Sequence, residues 1–241
     1  MSVSTRAVKP TETVAEPTRN SIPPLENGDR LTRAEFERRY AAMPNLKKAE
    51  LIEGEVYMPS PVQLMRHGFP HSMLVTCLGI YVIGTPGLLS GDNTTIRLDM
   101  DNEPQPDAFL IILPERGGQA RISDDYVEGA PELAAEVASS SVSYDLGKKL
   151  NVYRRCGVRE YLVWRVRDRV VDWFVNREGH FEPLAPSADG ILRSTVFPGF
   201  WLDAAALVQG EYARVKAVLE QGLSSPEHAD FVAKLEKANT A

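Results

Sequence analysis

The period of the apolar positions changes several times along the chain. Residues 1–30 show none: Pro, Thr, Ser, Glu and Asn dominate, and a disordered tail is expected there. Residues 31–42 put Phe36 and Tyr40 on one face, with Thr32 as a cap and Glu35 three positions on, so a helix is predicted. The stretch AELIEGEVYMPSP has two short β-like runs flanking Glu53-Gly54, a tight hairpin closed off by Pro59 and Pro61. Met73, Leu74, Cys77, Leu78 and Tyr81 then recur at helical spacing within 64–83, with Pro70 delaying the regular part to about His71.

A strand-rich segment follows. Residues 94–98 alternate, whereas 108–113 (AFLIIL) are continuously apolar, as in a strand buried on both faces. Residues 114–130 read as a polar loop, and 133–138 (LAAEVA) as a third strand. Residues 145–156 predict a helix that Ser143 can cap and Gly157 can close. Strands are expected at 160–166 and 169–176, and a weaker pair near 181–196. Residues 202–238 are mostly helical, broken around Gly222 to Pro226. This order predicts an α/β protein, a mixed sheet with helices on its faces.

Composition narrows the class. The 241 residues are 43% hydrophobic, enough for one domain with a core and peripheral segments. No run of 18 apolar residues is present, so no membrane span is expected. The first ten residues lack an apolar signal core, and the two cysteines, Cys77 and Cys156, both fall in predicted helices. A reducing, cytoplasmic setting follows. The net charge of −6 argues against a broad, non-specific nucleic-acid binder, because phosphate contacts need Lys and Arg. Walker, Gly-x-Gly-x-x-Gly, Gly-x-Ser-x-Gly and zinc-ligand spacings are all lacking.

The chemistry concentrates on three residues. Asp107 stands after Pro106 at the mouth of the apolar 108–113 strand, where it is expected at the sheet edge. Glu136 alternates with Ala135 and Val137 and points away from their face; a glutamate in such a strand is costly unless paired, protonated or metal-bound. Lys149 lies on the following helix, sharing a face with Asp145 and Tyr153 at i, i+4 and i+8. Two carboxylates suit a hard divalent cation, and a lysine beside it can orient water and stabilise charge on a phosphate. The plainer readings are a strand-capping Asp107, a Glu136–Lys149 ion pair, and a Glu50 paired with Lys47 or Lys48. Arg154, Arg155, Arg159, Arg165, Arg167 and Arg169 form the densest basic stretch, either a phosphate-backbone contact or a solvated surface.

Taken together, AELIEGEVYMPSP, PQPDAFLII, the run from Pro131 to Trp164 and FPGFWLD resemble the Uma-two family, restriction-type endonucleases widespread in bacteria within the PD-(D/E)XK superfamily. The resemblance spans about 31–207. It leaves a tail at 1–30 and a C-terminal helical extension at 208–241, and it implies a restriction-endonuclease-like core. It further implies that Asp107 is the PD aspartate, Glu136 the acidic member of (D/E)XK and Lys149, rather than Lys148, its lysine, moved onto the next helix because Ala138 stands where the superfamily has lysine. By the same resemblance Glu50 completes the catalytic set, the Val137 carbonyl is a metal ligand, and His71, with Asp145 and Tyr153, is accessory. Leu162 and Arg165 depart from the family pattern. The implied activity is Mg²⁺- or Mn²⁺-dependent cleavage of DNA, with a homodimer as the assembly that cuts both strands. Two other readings stand beside it: an inactive nuclease fold serving as a binding or scaffolding module, and a phosphodiesterase acting on RNA or nucleotides.

Overall fold

The computed structural model describes residues 22–59 and 61–238. In chain order these form α1 (Arg33–Ala41), β1 (Glu50–Ile52), β2 (Glu55–Tyr57), α2 (Phe69–Ile83), β3 (Leu88–Gly91), β4 (Ile96–Arg97), β5 (Ala108–Ile112), β6 (Arg121–Ser123), β7 (Tyr126–Glu128) and β8 (Leu133–Ala138). Next come α3 (Val142–Tyr144), α4 (Leu150–Cys156), β9 (Glu160–Arg165), β10 (Val170–Arg177), β11 (His180–Pro183), β12 (Leu192–Arg193) and β13 (Trp201–Leu202). Last are α5 (Ala204–Gln209), α6 (Tyr212–Leu223) and α7 (Pro226–Ala238). A π-helical turn, Leu64–Gly68, leads into α2, and a second, Asp145–Lys149, joins α3 to α4.

The central sheet has six strands in the order β11-β10-β9-β8-β5-β3. Only β8 and β9 are parallel; the other neighbours run antiparallel, so the sheet is mixed, as expected. Strands β5 and β8 are buried at every position, which is why their sequences show no alternation. Side chains nonetheless divide by parity. Leu133, Ala135 and Val137 join Leu162 and Trp164 on the face covered by α2, α5, α6 and α7. Ala134 and Ala138 join Tyr161 and Val163 on the face covered by α4 and by Phe174 and Phe181. Glu136 has the parity of this second face, the orientation its apolar neighbours imply.

The hairpin at Glu53-Gly54 forms as predicted. Both turn residues have positive φ, 55° and 71°, the pairing that a two-residue turn between right-twisted strands demands. Thr32 accepts from the Glu35 amide at the start of α1.

Several expectations differ from the structure. The 114–130 segment is not a plain loop: it carries the β6–β7 hairpin, which pairs with β4 and packs Ile96 and Val127 on Phe109 and Ile111. β3 pairs with β5 through LLSG, a run too short and polar on one side to stand out. The two weak strands near 181–196 do not pair together; β11 extends the main sheet and β12 joins β13. Helix α2 begins at Phe69, with Pro70 in its first turn where no intrahelical N–H is needed. The tail expected over 1–30 falls outside the described residues as far as Ser21, while Leu25 is buried against Phe36 and Val56. Helices α6 and α7 cover the main core through Val215, Leu219, Phe231 and Leu235. Among the described residues no helix is long and apolar enough to cross a membrane.

Candidate active site

Four separate segments meet at the end of β8. Glu50 comes from β1, Asp107 from the residue before β5, Glu136 from β8 and Lys149 from the end of the second π turn. Lys149 Nζ lies 2.8 Å from Glu50 Oε1 and 2.8 Å from Glu136 Oε1, with all three side chains 3–4% exposed. Glu50 also accepts from the Gln105 amide at 2.7 Å, and Glu136 from the Tyr153 hydroxyl at 3.1 Å. Glu50 therefore pairs with the distant Lys149, not with Lys47 or Lys48 across the turn.

Asp107 is not at an exposed edge; its side chain is 6% exposed. The ladder between β5 and β8 ends at Ala108 and Ala135, so the Val137 amide has no strand partner on that side. The Asp107 carboxylate takes its place, accepting from Val137 N at 2.8 Å. The Ala138 carbonyl accepts from Val166 on the β9 side. Successive carbonyls along a strand alternate, which turns the Val137 carbonyl toward Asp107. His67 Nε2 lies 3.1 Å from Asp107 Oδ2, and Lys48 Nζ 3.3 Å from Oδ1. An ionised carboxylate only accepts, so His67 presents Nε2–H. His71, one helical turn later, donates Nε2–H to the main-chain carbonyl of Asp107 at 2.7 Å. Asp145 is buried beside the cluster, and its backbone carbonyl accepts from the Tyr161 hydroxyl at 3.0 Å.

Charge is unbalanced in this space. Burial pushes Glu136 well above the usual carboxylate range, Lys149 opposes this, and the charges of Asp107, Asp145 and Glu50 add to it. Burial likewise raises Asp145 to about 6. Asp107 goes the other way: burial raises it, but the His67 hydrogen bond and the charges of Lys48, His67 and Lys149 hold it well below the usual carboxylate range. Burial disfavours the Lys149 ammonium, and Glu136 and Glu50 outweigh that. Four acidic groups thus face one enclosed lysine.

The donor set suits a hard cation. Asp107, Glu136 and the Val137 carbonyl offer only oxygen, and one or two carboxylates suffice for an ion that keeps its waters. Among the described residues, three or more His, Cys, Asp or Glu side chains are nowhere grouped as a metal cage. Lys149 instead stands between Glu50 and Glu136.

Glu50, Asp107, Glu136, Val137, Lys149, His71, Asp145 and Tyr153 all lie in or against this centre. His67 and Lys48 were missed as site residues, although both left a trace: His67 and His71 stand at i, i+4, and Lys48 stands two positions before Glu50 at the entry to β1. The arginine-rich stretch is largely consumed internally. Arg165 binds Asp168 and Asp172, Arg155 pairs with Glu53, Arg159 donates to Gln119, and Arg154 and Arg169 donate to main-chain carbonyls.

A mixed sheet flanked by helices, with an aspartate, a glutamate and a lysine gathered where its strands part, defines a nuclease-like protein of the restriction-endonuclease-like class. The model of the Uma2 family, described as "Putative restriction endonuclease", matches residues 33–205, and the chain belongs to that family. Its fold is similar to the crystal structure of "a putative nuclease belonging to DUF820" from Anabaena variabilis, at a TM-score of 0.52 and 16% identity, covering 71% of this chain and 97% of that one. No curated protein matches the sequence.

Proposed function

We propose that this protein is an endonuclease that hydrolyses DNA phosphodiester bonds with Mg²⁺ or Mn²⁺. The observation that carries the reading is the convergence of Glu50, Asp107, Glu136 and Lys149 from four segments into one buried centre, in a chain of the Uma2 family. Asp107, Glu136 and the Val137 carbonyl would hold the ion. When bound, the ion would polarise a phosphoryl oxygen and make water acidic enough to attack near neutral pH. Glu50 and Glu136 together fix Lys149. Of the three ammonium donors, two are spent on these carboxylates, leaving the third to orient the water. Tyr153 holds the Glu136 carboxylate in place. A homodimer would let two such sites cut both strands.

Calorimetry with Mn²⁺ on the wild type, Asp107→Asn and Glu136→Gln, alongside plasmid nicking, tests this. Binding and cleavage that disappear together in both variants are expected. A wild type that neither binds Mn²⁺ nor cuts any DNA form refutes the proposal.

A second reading has one observation in its favour: Lys149 already satisfies both Glu50 and Glu136. On it the fold is a binding or scaffolding module whose acidic pair is structural. On that reading the wild type binds no Mn²⁺ and cuts no nucleic acid, and Lys149→Met changes stability alone. Cleavage of RNA or of a nucleotide instead of DNA would appear in the same assay with those substrates.

A further inference from the structure

The residues that hold the centre together are not those a nucleic acid can touch. Glu50, Glu136 and Lys149 are 3–4% exposed, and Lys149 cannot reach a phosphate without leaving two carboxylates at 2.8 Å. The groups open to solvent lie around Asp107. Lys48 and His67 are 21% and 22% exposed and face its two carboxylate oxygens, Oδ1 and Oδ2 respectively.

Lys48 is held loosely. Its ammonium is 3.3 Å from Asp107 Oδ1, longer than the usual 2.7–2.9 Å or so of a charge-assisted bond, and 3.0 Å from the Asn93 side-chain oxygen. An ammonium has three donors, so one is left over. Lys48 shares Asp107 with other donors, since Oδ2 accepts from Val137 N and His67. The adjoining cations Lys47 and Arg66 are exposed, and neither makes an ion pair or hydrogen bond among the described residues. This contrasts with the arginines of 154–169, most of which are engaged internally. A protein of net charge −6 needs local cations to bind a polyanion, and Lys48 and His67 stand at Asp107, with the exposed Asp92 carboxylate 3.8 Å from His71 Nε2 as the nearby opposing charge.

The geometry points to Lys48 as the residue that binds the DNA phosphate at the mouth of the site, beside Asp107 and in place of the enclosed Lys149. This rests on the proposed action on DNA. On binding, the spare N–H donates to a phosphate oxygen, while the other two donors keep Asn93 and Asp107. Lys149 stays with its carboxylates.

The test is DNA binding, separate from cleavage. Affinity for a fluorescein-labelled duplex is followed by anisotropy across a salt series, once in EDTA and once with Ca²⁺, for the wild type, Lys48→Gln, Lys48→Arg and the remote control Lys234→Gln. Loss of one phosphate contact lowers the slope of log affinity against log salt by about 0.9. Lys48→Gln is expected to bind several-fold more weakly with that lower slope, Lys48→Arg to recover it, and Lys234→Gln to match the wild type. A wild type that binds while Lys48→Gln keeps its slope and affinity overturns the Lys48 contact and leaves the nuclease reading standing. A wild type that binds no duplex in either condition overturns the DNA reading itself, and the contact with it.

Discussion

Replacing Glu103 with glutamine should stabilise the protein in mild alkali and leave it almost unchanged in acid. The Glu103 backbone is bridged to Leu51 in both directions, which fixes its side chain inside the fold at 3% exposure for the residue. Its Oε2 is buried without a hydrogen-bond partner, and the neighbouring Glu37 carboxylate is engaged by Arg97, whose Nε lies 2.9 Å from Glu37 Oε1. Burial, then the Glu37 charge, pushes the Glu103 carboxyl up to about 7, against the pull of Arg97 and Arg33. The folded value lies above the unfolded 4.5, so the folded chain binds the extra proton between the two. Stability is therefore lost as pH rises from 4.5 through about 7, and below that window both states carry the proton alike. The gap, at about 1.36 kcal/mol for each tenfold step, caps the effect at about 3 kcal/mol; relaxation of the side chains brings the expectation to about 1–2 kcal/mol. Glutamine cannot ionise, and its amide offers Glu37 the donor that protonated Glu103 supplies. Urea unfolding followed by tryptophan fluorescence checks this. At about 2 kcal/mol per molar urea, the variant midpoint should rise by about 0.5–1 M near pH 8 and coincide with the wild type near pH 4.5. An equal difference at both pH values, or a loss at each, would refute the account.

The remaining predictions concern the centre and its support. Lys149→Met leaves Glu50 and Glu136 facing each other without a cation, and should cost about 3–5 kcal/mol near pH 8 by the same denaturation assay. Tyr153→Phe removes one bond to Glu136 and should cost about 1–2 kcal/mol, with Mn²⁺ affinity weakened rather than abolished. Gly222→Ala would place a methyl 2.2 Å from the Gly199 carbonyl oxygen, and a loss of at least about 2 kcal/mol, read as a lowered melting temperature, should follow.

Much of the fold is legible along the chain because its long strands are buried on both faces. β5, β8 and β9 show as apolar runs, and the Glu53-Gly54 turn announces its hairpin. The candidate site was legible for a different reason. Glu136 is the one charge in LAAEVA, and a buried charge needs a partner, which the following helix offers in Lys149. The parts that escaped are those whose stability comes from elsewhere. β3 and the β6–β7 hairpin are short and partly polar, and exist because β5 and β4 offer them unpaired edges. The two π turns break the 3.6-residue period, and between them they carry His67, Asp145 and Lys149.

The sequence by itself determined the long strands β5, β8, β9 and β10, the parity that sends Glu136 to one face, and the family to which the motifs belong. These are local properties: residue spacing, turn chemistry and the cost of a charge among apolar neighbours. Only the tertiary structure decided which charge meets which. It gave Glu50 to Lys149 across a hundred residues of chain, carried Asp107 inward to the Val137 amide where the β5–β8 ladder ends, and left Lys48 on the open side. Such pairings depend on where strands part and helices bulge, and no spacing along one segment encodes the distance to another.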